Sequence, residues 1–331
     1  MRKIWWNWDI RMRWHWGFSM TEESFVQNCI KEIDAAGNYE IEGIVIWGFL
    51  RDRHGGINAA KHVVEYAGEK GINIYPGVGI DDYGGVYYDG THCYSLDNYL
   101  NEHPDAQALR KDGTPDTHRW PPNDLTARKK ACPANVDVIS FYKESLEWLV
   151  ETFSLKGIQI EQGDSGLCYC DRCMKKIRRE VPGIRSSASD AAERIPEVVK
   201  DIIIKKPGFT IISETYAGLT NEAASAIEPL LSKYPEEIIL SWQLYNGPTP
   251  YDHAGKFLIE PGCGIRRKHG CAALRTNSDV FYGEIDDRAN IEKALKLSAE
   301  AGLDMTYIYG EYPDVWPVTA GNYRTWAEMA R

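Results

Sequence analysis

Residues 42–79 read "EGIVIWGFLRDRHGGINAAKHVVEYAGEKGINIYPGVG". An apolar run, "EGIVIWGF" (42–49), is followed by "NAAKHVVEYAGEKG", whose apolar positions recur at i, i+3 and i+4, and then by a second apolar run, "INIYPGVG" (72–79). The first and last runs have strand character and the middle one is an amphipathic helix. Gly71 stands where a helix ends on a left-handed residue. Two strands joined through a helix are parallel neighbours in one sheet.

The same alternation continues in both directions. Upstream lies "KIWWNWD" (3–9); downstream lie "GIQIEQG" (157–163), "FTIISETY" (209–216), "EIILSWQLY" (237–245), "CAALRTN" (271–277) and "MTYIYGE" (305–311). Between them fall helix-like segments. Thr21 caps the first, which buries Phe25, Cys29, Ile30 and Ile33; another carries Val138, Tyr142, Leu146, Leu149 and Phe153 on one stripe. Helical runs are expected around 171–181 and 187–205, at "NEAASAIEPLLSKY" and "DRANIEKALKLSAEAG", and in the closing "NYRTWAEMAR". Eight strands, each followed by a helix, predict a (β/α)8 TIM barrel in the α/β class, one domain over 1–331 with an irregular segment around 246–280. An open doubly wound sheet would need a glycine-rich turn after the first strand, and "IRMRWHWGFSM" has none. "GVGIDDYGG" is glycine-rich but leads into a long irregular stretch, so it reads as a loop.

The net charge of −10 argues against nucleic acid or an anionic membrane as the main partner. No apolar stretch approaches the ~20 residues that cross a bilayer, and "MRKIWWNWDI" is broken by Asn7 and Asp9, so a cytoplasmic location is expected. The 11 Trp and 19 Tyr, many just after apolar runs, suit the flat faces of sugar rings as well as a barrel core. Nothing in the sequence sets the oligomeric state.

A barrel of this kind works at the C-terminal ends of its strands. Those ends carry Asp9; Trp47, then Arg51, Asp52 and His54; Asp81 and Asp82; Glu161 and Asp164; Glu214; Trp242, Gln243 and Tyr245; and Glu311, with Trp316 beyond. Side chains alternate faces along a strand. With Ile158 and Ile160 outward against helices, Gln159 and Glu161 turn inward; with Ile308 outward, Tyr307, Tyr309 and Glu311 turn inward. Glu214 is in phase with Ile212, which leaves its direction open. A carboxylate pair is what glycosidic hydrolysis requires. Glu161 is the expected general acid, or acid/base if the enzyme retains, and Glu311 its partner; the two strands lie across the barrel, which leans towards the wider spacing of inversion without fixing the stereochemistry; Asp164 and Glu214 are reserves. Asp9, Trp47, Arg51, Asp52, His54, Asp81, Asp82, Trp242, Gln243, Tyr245 and Trp316 are the candidate sugar contacts.

Cys168, Cys170 and Cys173 form C-x-C-x-x-C, and Cys132 lies in the preceding loop. Four such thiols can hold a structural zinc ion, pair as a disulfide through Cys132, or stay free. No cofactor is expected for catalysis.

"WWNWDIRMRWHW", "GIVIWGFLRDRHGG", "IYPGVGIDDYGGVYYDG", "IQIEQGDSGLCYCDRC" and "YIYGE" together resemble bacterial barrels of the glycoside-hydrolase superfamily. The "GD…CxCxxC" element is also similar to barrels near the β-hexosaminidases and α-glucuronidases. The resemblance implies a (β/α)8 barrel, a carbohydrate substrate and carboxylate catalysis. It has a departure: hexosaminidase-type barrels carry an adjacent Asp-Glu pair after strand four, where this chain has Glu161-Gln162-Gly163-Asp164, and the Asn-Glu ending of the large retaining clan is absent. Two other readings fit the strand ends: a metal-dependent sugar isomerase or epimerase using Glu161, Glu214 and Glu311, and a non-catalytic carbohydrate-binding barrel.

Overall fold

The segment 42–79 folds as its pattern requires: β2 (Gly43–Trp47), α2 (Gly56–Glu69) and β3 (Asn73–Gly79), with β2 and β3 parallel in register Gly43 to Asn73. In the computed structural model, residues 1–7, 21–118, 128–162, 167–175, 188–214, 231–248, 255–257, 270–276, 283–310 and 317–331 are described. The other strands are β1 (Arg2–Asn7), β4 (Gly157–Glu161), β5 (Thr210–Glu214), β6 (Ile238–Asn246), β7 (Gly270–Arg275) and β8 (Met305–Gly310). All eight pair in parallel, β1 with β8 and β6 with β7, so the sheet closes into the expected TIM barrel.

Among the described residues, helices occupy the crossovers or follow the last strand: α1 (Glu22–Gly37), α3 (Val136–Thr152), α4 (Ala188–Lys205), α5 (Arg288–Glu300) and α6 (Pro317–Met329); most of the helix expected at "NEAASAIEPLLSKY" lies outside the described residues. The Thr21 side chain accepts from the Ser24 N–H at 3.3 Å, as an N-cap should. Phe25, Cys29 and Ile33 are buried on α1, whereas Ile30 is only half-buried. Among the described residues no helix is long and apolar enough to cross a membrane.

The chain builds two apolar layers because each strand has two faces. Outside the sheet, Ile44, Ile74, Ile158, Ile160, Leu240 and Ile308 pack with helix residues such as Phe25, Val63, Leu146 and Trp326. Inside the barrel, Ile4, Val45, Tyr75, Ile212, Ile239 and Met305 form a second cluster with Trp6, Trp47 and Tyr307. The Tyr75 ring fills the lower interior between glycines of the two flanking strands: a Cβ at Gly43 or Gly157 would collide with it. Its hydroxyl donates to Glu42 Oε1 at 2.9 Å.

Two glycines therefore predict opposite outcomes. Gly157→Val should destabilise the fold by about 1–3 kcal/mol, since it forces apart a packed interior. Gly68→Ala on α2, where an added Cβ meets nothing within 4 Å, should stabilise it by about 0.5–1 kcal/mol through helix propensity. Urea-denaturation midpoints of the two variants check both signs.

Candidate active site

Four strands aim polar side chains at one point inside the barrel. Glu214 ends β5 and is 7% exposed. Its Oε2 accepts from the Ser241 hydroxyl of β6 at 3.0 Å, from the Tyr307 hydroxyl of β8, and from the Gln159 amide of β4 at 3.5 Å. Gln159 in turn accepts the Trp47 indole N–H from β2 at 2.9 Å. These side chains are buried, so each hydrogen bond replaces one that water would have made. A carboxylate only accepts, and donors from three strands suit that role.

Glu161 ends β4 and is 3% exposed. It shares its face with Gln159, which the Trp47 and Glu214 contacts place inside the barrel. Its expected inward direction thus agrees with the strand's phase. Glu214 also faces inward, because Ile212 belongs to the interior cluster. The assumption that isoleucine marks the outer face fails on β5: Ile211 packs among the helices and Ile212 inside the barrel, so both phases are apolar. The register Ile160 to Ser213 puts Glu161 and Glu214 at the same level on neighbouring strands.

Aromatic rings wall this point. Trp47 lies 6.4 Å from Trp6, near-parallel, and Trp6 meets Tyr307 edge-on at 5.1 Å. Tyr83, in the loop after β3, stands edge-on to Trp47 at 5.7 Å. It holds a left-handed φ of 59°, costly for a tyrosine, and its N–H donates to Asp82 Oδ1 at 2.8 Å.

The other candidates on the loops after β2 and β3 are tied up by ion pairs, hydrogen bonds and ring contacts. Arg51 donates to Asp89 at 3.1 Å and lies 4.1 Å over the Tyr88 ring; Arg53 and Arg128 share the same Asp89. Burial pushes Arg51 down to about 10. Asp52 accepts from Tyr87 at 2.5 Å and from the Thr91 N–H at 2.7 Å. His54 is buried and stacks on Phe25 at 5.3 Å. Asp81 pairs with Arg194 of α4; burial pushes it up to about 6 against the pull of that guanidinium. All of these side chains are engaged in holding loops together.

The structure does not bring Trp242 and Tyr245 to the interior. Trp242 follows the inward Ser241 by one residue and packs among outer-layer side chains. Tyr245 is carried outward by a register shift between β6 and β7, and donates to Asp287 at 2.6 Å. Gln243 is half-buried at the Ala273 level. Asp9, Asp164, Glu311 and Trp316 lie outside the described residues. Ser241 is a site residue that the sequence reading misses; its only signal is a small polar residue between the apolar "IIL" and Trp242.

Beyond β4 the four cysteines do converge. The sulfurs of Cys132, Cys168, Cys170 and Cys173 all lie within 4.8 Å of one another, the one group of three or more metal-ligand side chains so placed among the described residues, and such a group can hold a metal ion. None is in a disulfide. Hydrogen bonding with Cys132 and Cys173 lowers Cys168 and favours its thiolate, while the bond to Cys168 raises Cys132.

No protein-family model matches the chain, and no curated protein matches it. Solved structures do. They include a β-N-acetylhexosaminidase from Bacteroides fragilis (TM-score 0.57, 11% identity, 99% of this chain and 65% of that one). The galactosidase domain of an α-galactosidase–sucrose kinase matches at TM-score 0.54 and 9% identity, over 99% of this chain and 39% of that one. An α-amylase from Geobacillus thermoleovorans, complexed with acarbose, matches at TM-score 0.52 and 10% identity, over 99% and 78%. The chain thus spans less than two thirds of the first two proteins. At these identities the likeness is one of fold, a barrel shared with glycosidases of several kinds.

His54 makes the rim sensitive to acid. Burial, with Arg51 nearby, pushes it down from 6.5 to about 3. The folded protein keeps it neutral, while the unfolded chain takes a proton below about 6.5. Its contribution to stability is complete above about pH 6.5 and is lost as pH falls towards about 3. Within that window His54→Leu should flatten the pH dependence of unfolding free energy by about 1.4 kcal/mol per pH unit. Denaturant titrations of both proteins between those limits measure the difference.

Proposed function

We propose that this barrel hydrolyses a glycosidic bond, with Glu161 and Glu214 as the reacting carboxylates and no cofactor in the reaction. The observation that carries the reading is the convergence of Tyr307, Ser241 and Gln159 on Glu214, one strand away from the buried Glu161. The barrel that glycosidases of several kinds share with this chain supports the choice of reaction class.

Neighbouring strands lie about 4.8 Å apart, so two inward carboxylates at one level suit the short separation of about 5–5.5 Å that goes with retention. Glu214, gathered among donors, is the nucleophile; Glu161 protonates the leaving oxygen and then deprotonates the incoming water. This replaces the wide Glu161–Glu311 pairing as the preferred one. Glu311 and Asp164 stay in the proposal as further carboxylates of the same strand-end ring. Trp47 and Trp6 offer ring faces for a sugar, and Gln243 a polar contact. Arg51, Asp52, His54, Asp81 and Asp82 act by shaping the loops around it. The cysteine cluster stands outside the chemistry as a structural metal centre.

Turnover of a panel of nitrophenyl glycosides (glucoside, galactoside and N-acetylglucosaminide in both anomers) tests the reading. Glu161→Gln and Glu214→Gln should each lower kcat by about 10²–10⁴-fold without changing the thermal midpoint greatly, and NMR of the first-formed product should show retention. If both variants hydrolyse as the parent does, the assignment is wrong.

A further inference from the structure

The cysteines join three separate stretches of chain. Cys132 precedes α3; Cys168, Cys170 and Cys173 follow β4; and residues 106–109, from the long excursion after β3, back them both. The Cys132 N–H donates to Ala106 O at 2.8 Å, the Tyr169 N–H to Leu109 O at 2.8 Å, and the Leu109 N–H to Cys168 Sγ at 3.4 Å. The Cys173 N–H donates to Cys170 Sγ at 3.4 Å. Cys132, Cys168 and Cys173 are buried, with only Ala108 and Ala134 as small apolar neighbours in their cluster.

The sulfur spacings select among the three chemistries open to such a group. Cys132 Sγ lies 3.5 Å from Cys170, 3.6 Å from Cys173 and 3.8 Å from Cys168. A disulfide needs about 2.05 Å. A tetrahedral ion with metal–sulfur bonds of about 2.3 Å spaces its ligands by about 3.8 Å. Four thiols, three of them buried, would without an ion bring together weak donors that satisfy one another poorly. The two backbone N–H groups aimed at Cys168 and Cys170 are the kind of outer contact that orients thiolate ligands.

We infer that Cys132, Cys168, Cys170 and Cys173 bind one Zn²⁺ as a closed tetrathiolate centre that clips the loop after β3 to the loop after β4. Four sulfur ligands are soft and tetrahedral, which suits zinc, and they leave no position for water or substrate, which makes the centre structural. Binding sends the thiol protons to solvent. The clip reaches the site through backbone: next to Cys132, the Ala131 N–H donates to Asp81 O at 2.9 Å, and the adjacent Ile80 N–H donates to Glu161 O at 2.9 Å. That last consequence rests on the hydrolase reading; the metal content does not.

The 331-residue chain, dialysed against metal-free buffer, should carry about one zinc ion per molecule by elemental analysis and release it on titration with a mercurial. Cobalt exchanged into it should show thiolate-to-metal charge-transfer bands and tetrahedral d–d bands. Cys168→Ser and Cys173→Ser should lower zinc to below about a tenth of an equivalent, while Cys93→Ser, an exposed cysteine outside the cluster, keeps it. Should those variants fail to fold, the native chain decides: its four cluster thiols should resist a thiol reagent until a strong chelator is added, and removal of zinc should lower the thermal midpoint. Disulfides among these cysteines, iron in place of zinc, or metal-free protein with the same thermal midpoint would overturn the inference. Glu161→Gln should keep its zinc, so a failed hydrolase assignment leaves the metal count unaffected.

Discussion

Closure of eight parallel strands on themselves is the constraint on which the rest of the molecule depends. Pairing β1 to β8 and β6 to β7 removes every edge and gives each strand one face inside the ring and one outside it. The outside face then has to match helices, and the inside face has to fill a narrow space with whatever eight alternating sets of side chains supply. Tyr75 fills the lower part because its two flanking strands offer Gly43 and Gly157 there. Higher up, Trp6, Trp47 and Tyr307 take the volume, and the polar groups gather among them.

Those polar groups are held by one another. Placing Glu161 and Glu214 among indole and phenol rings costs solvation, which only hydrogen bonds or ionic partners return. For Glu214 the Trp47–Gln159–Glu214 chain, joined by Ser241 and Tyr307, supplies them from four other strands. A similar economy governs the rim. Arg51, Arg53 and Arg128 gather on Asp89, and Asp81 on Arg194, so that the loops are fixed by a few charges, most of them buried. The cysteine cluster does the same with sulfur, drawing together the excursion after β3 and the loop after β4.

Much of this was legible beforehand, and the exceptions have identifiable causes. The direction of Glu161 could be read because Gln159 alternates with Ile158 and Ile160, a contrast between faces. On β5 that contrast is missing: Ile211 and Ile212 are both apolar, since the ring needs an apolar residue inside as well as outside. Trp242 was expected at the sugar face from its place near a strand end, but Ser241 takes the inward phase. Tyr245 is turned outward by the irregular register with β7, which leaves no mark on period-two spacing. Ser241 itself is small and unremarkable until its neighbours are known.

By itself the sequence determined the eight strands, their order and the barrel they form, because strand and helix periodicity are local properties and strand–helix–strand connection has one favoured outcome. It also determined that Cys168, Cys170 and Cys173 stand together, being five residues apart at most. The tertiary structure alone decided that Glu214 shares the interior with Glu161, that Tyr307 and Ser241 reach it, and that Cys132 completes the thiol cluster. Each of these depends on strand register and ring closure, which bring together residues tens of positions apart and are encoded in no single stretch of chain.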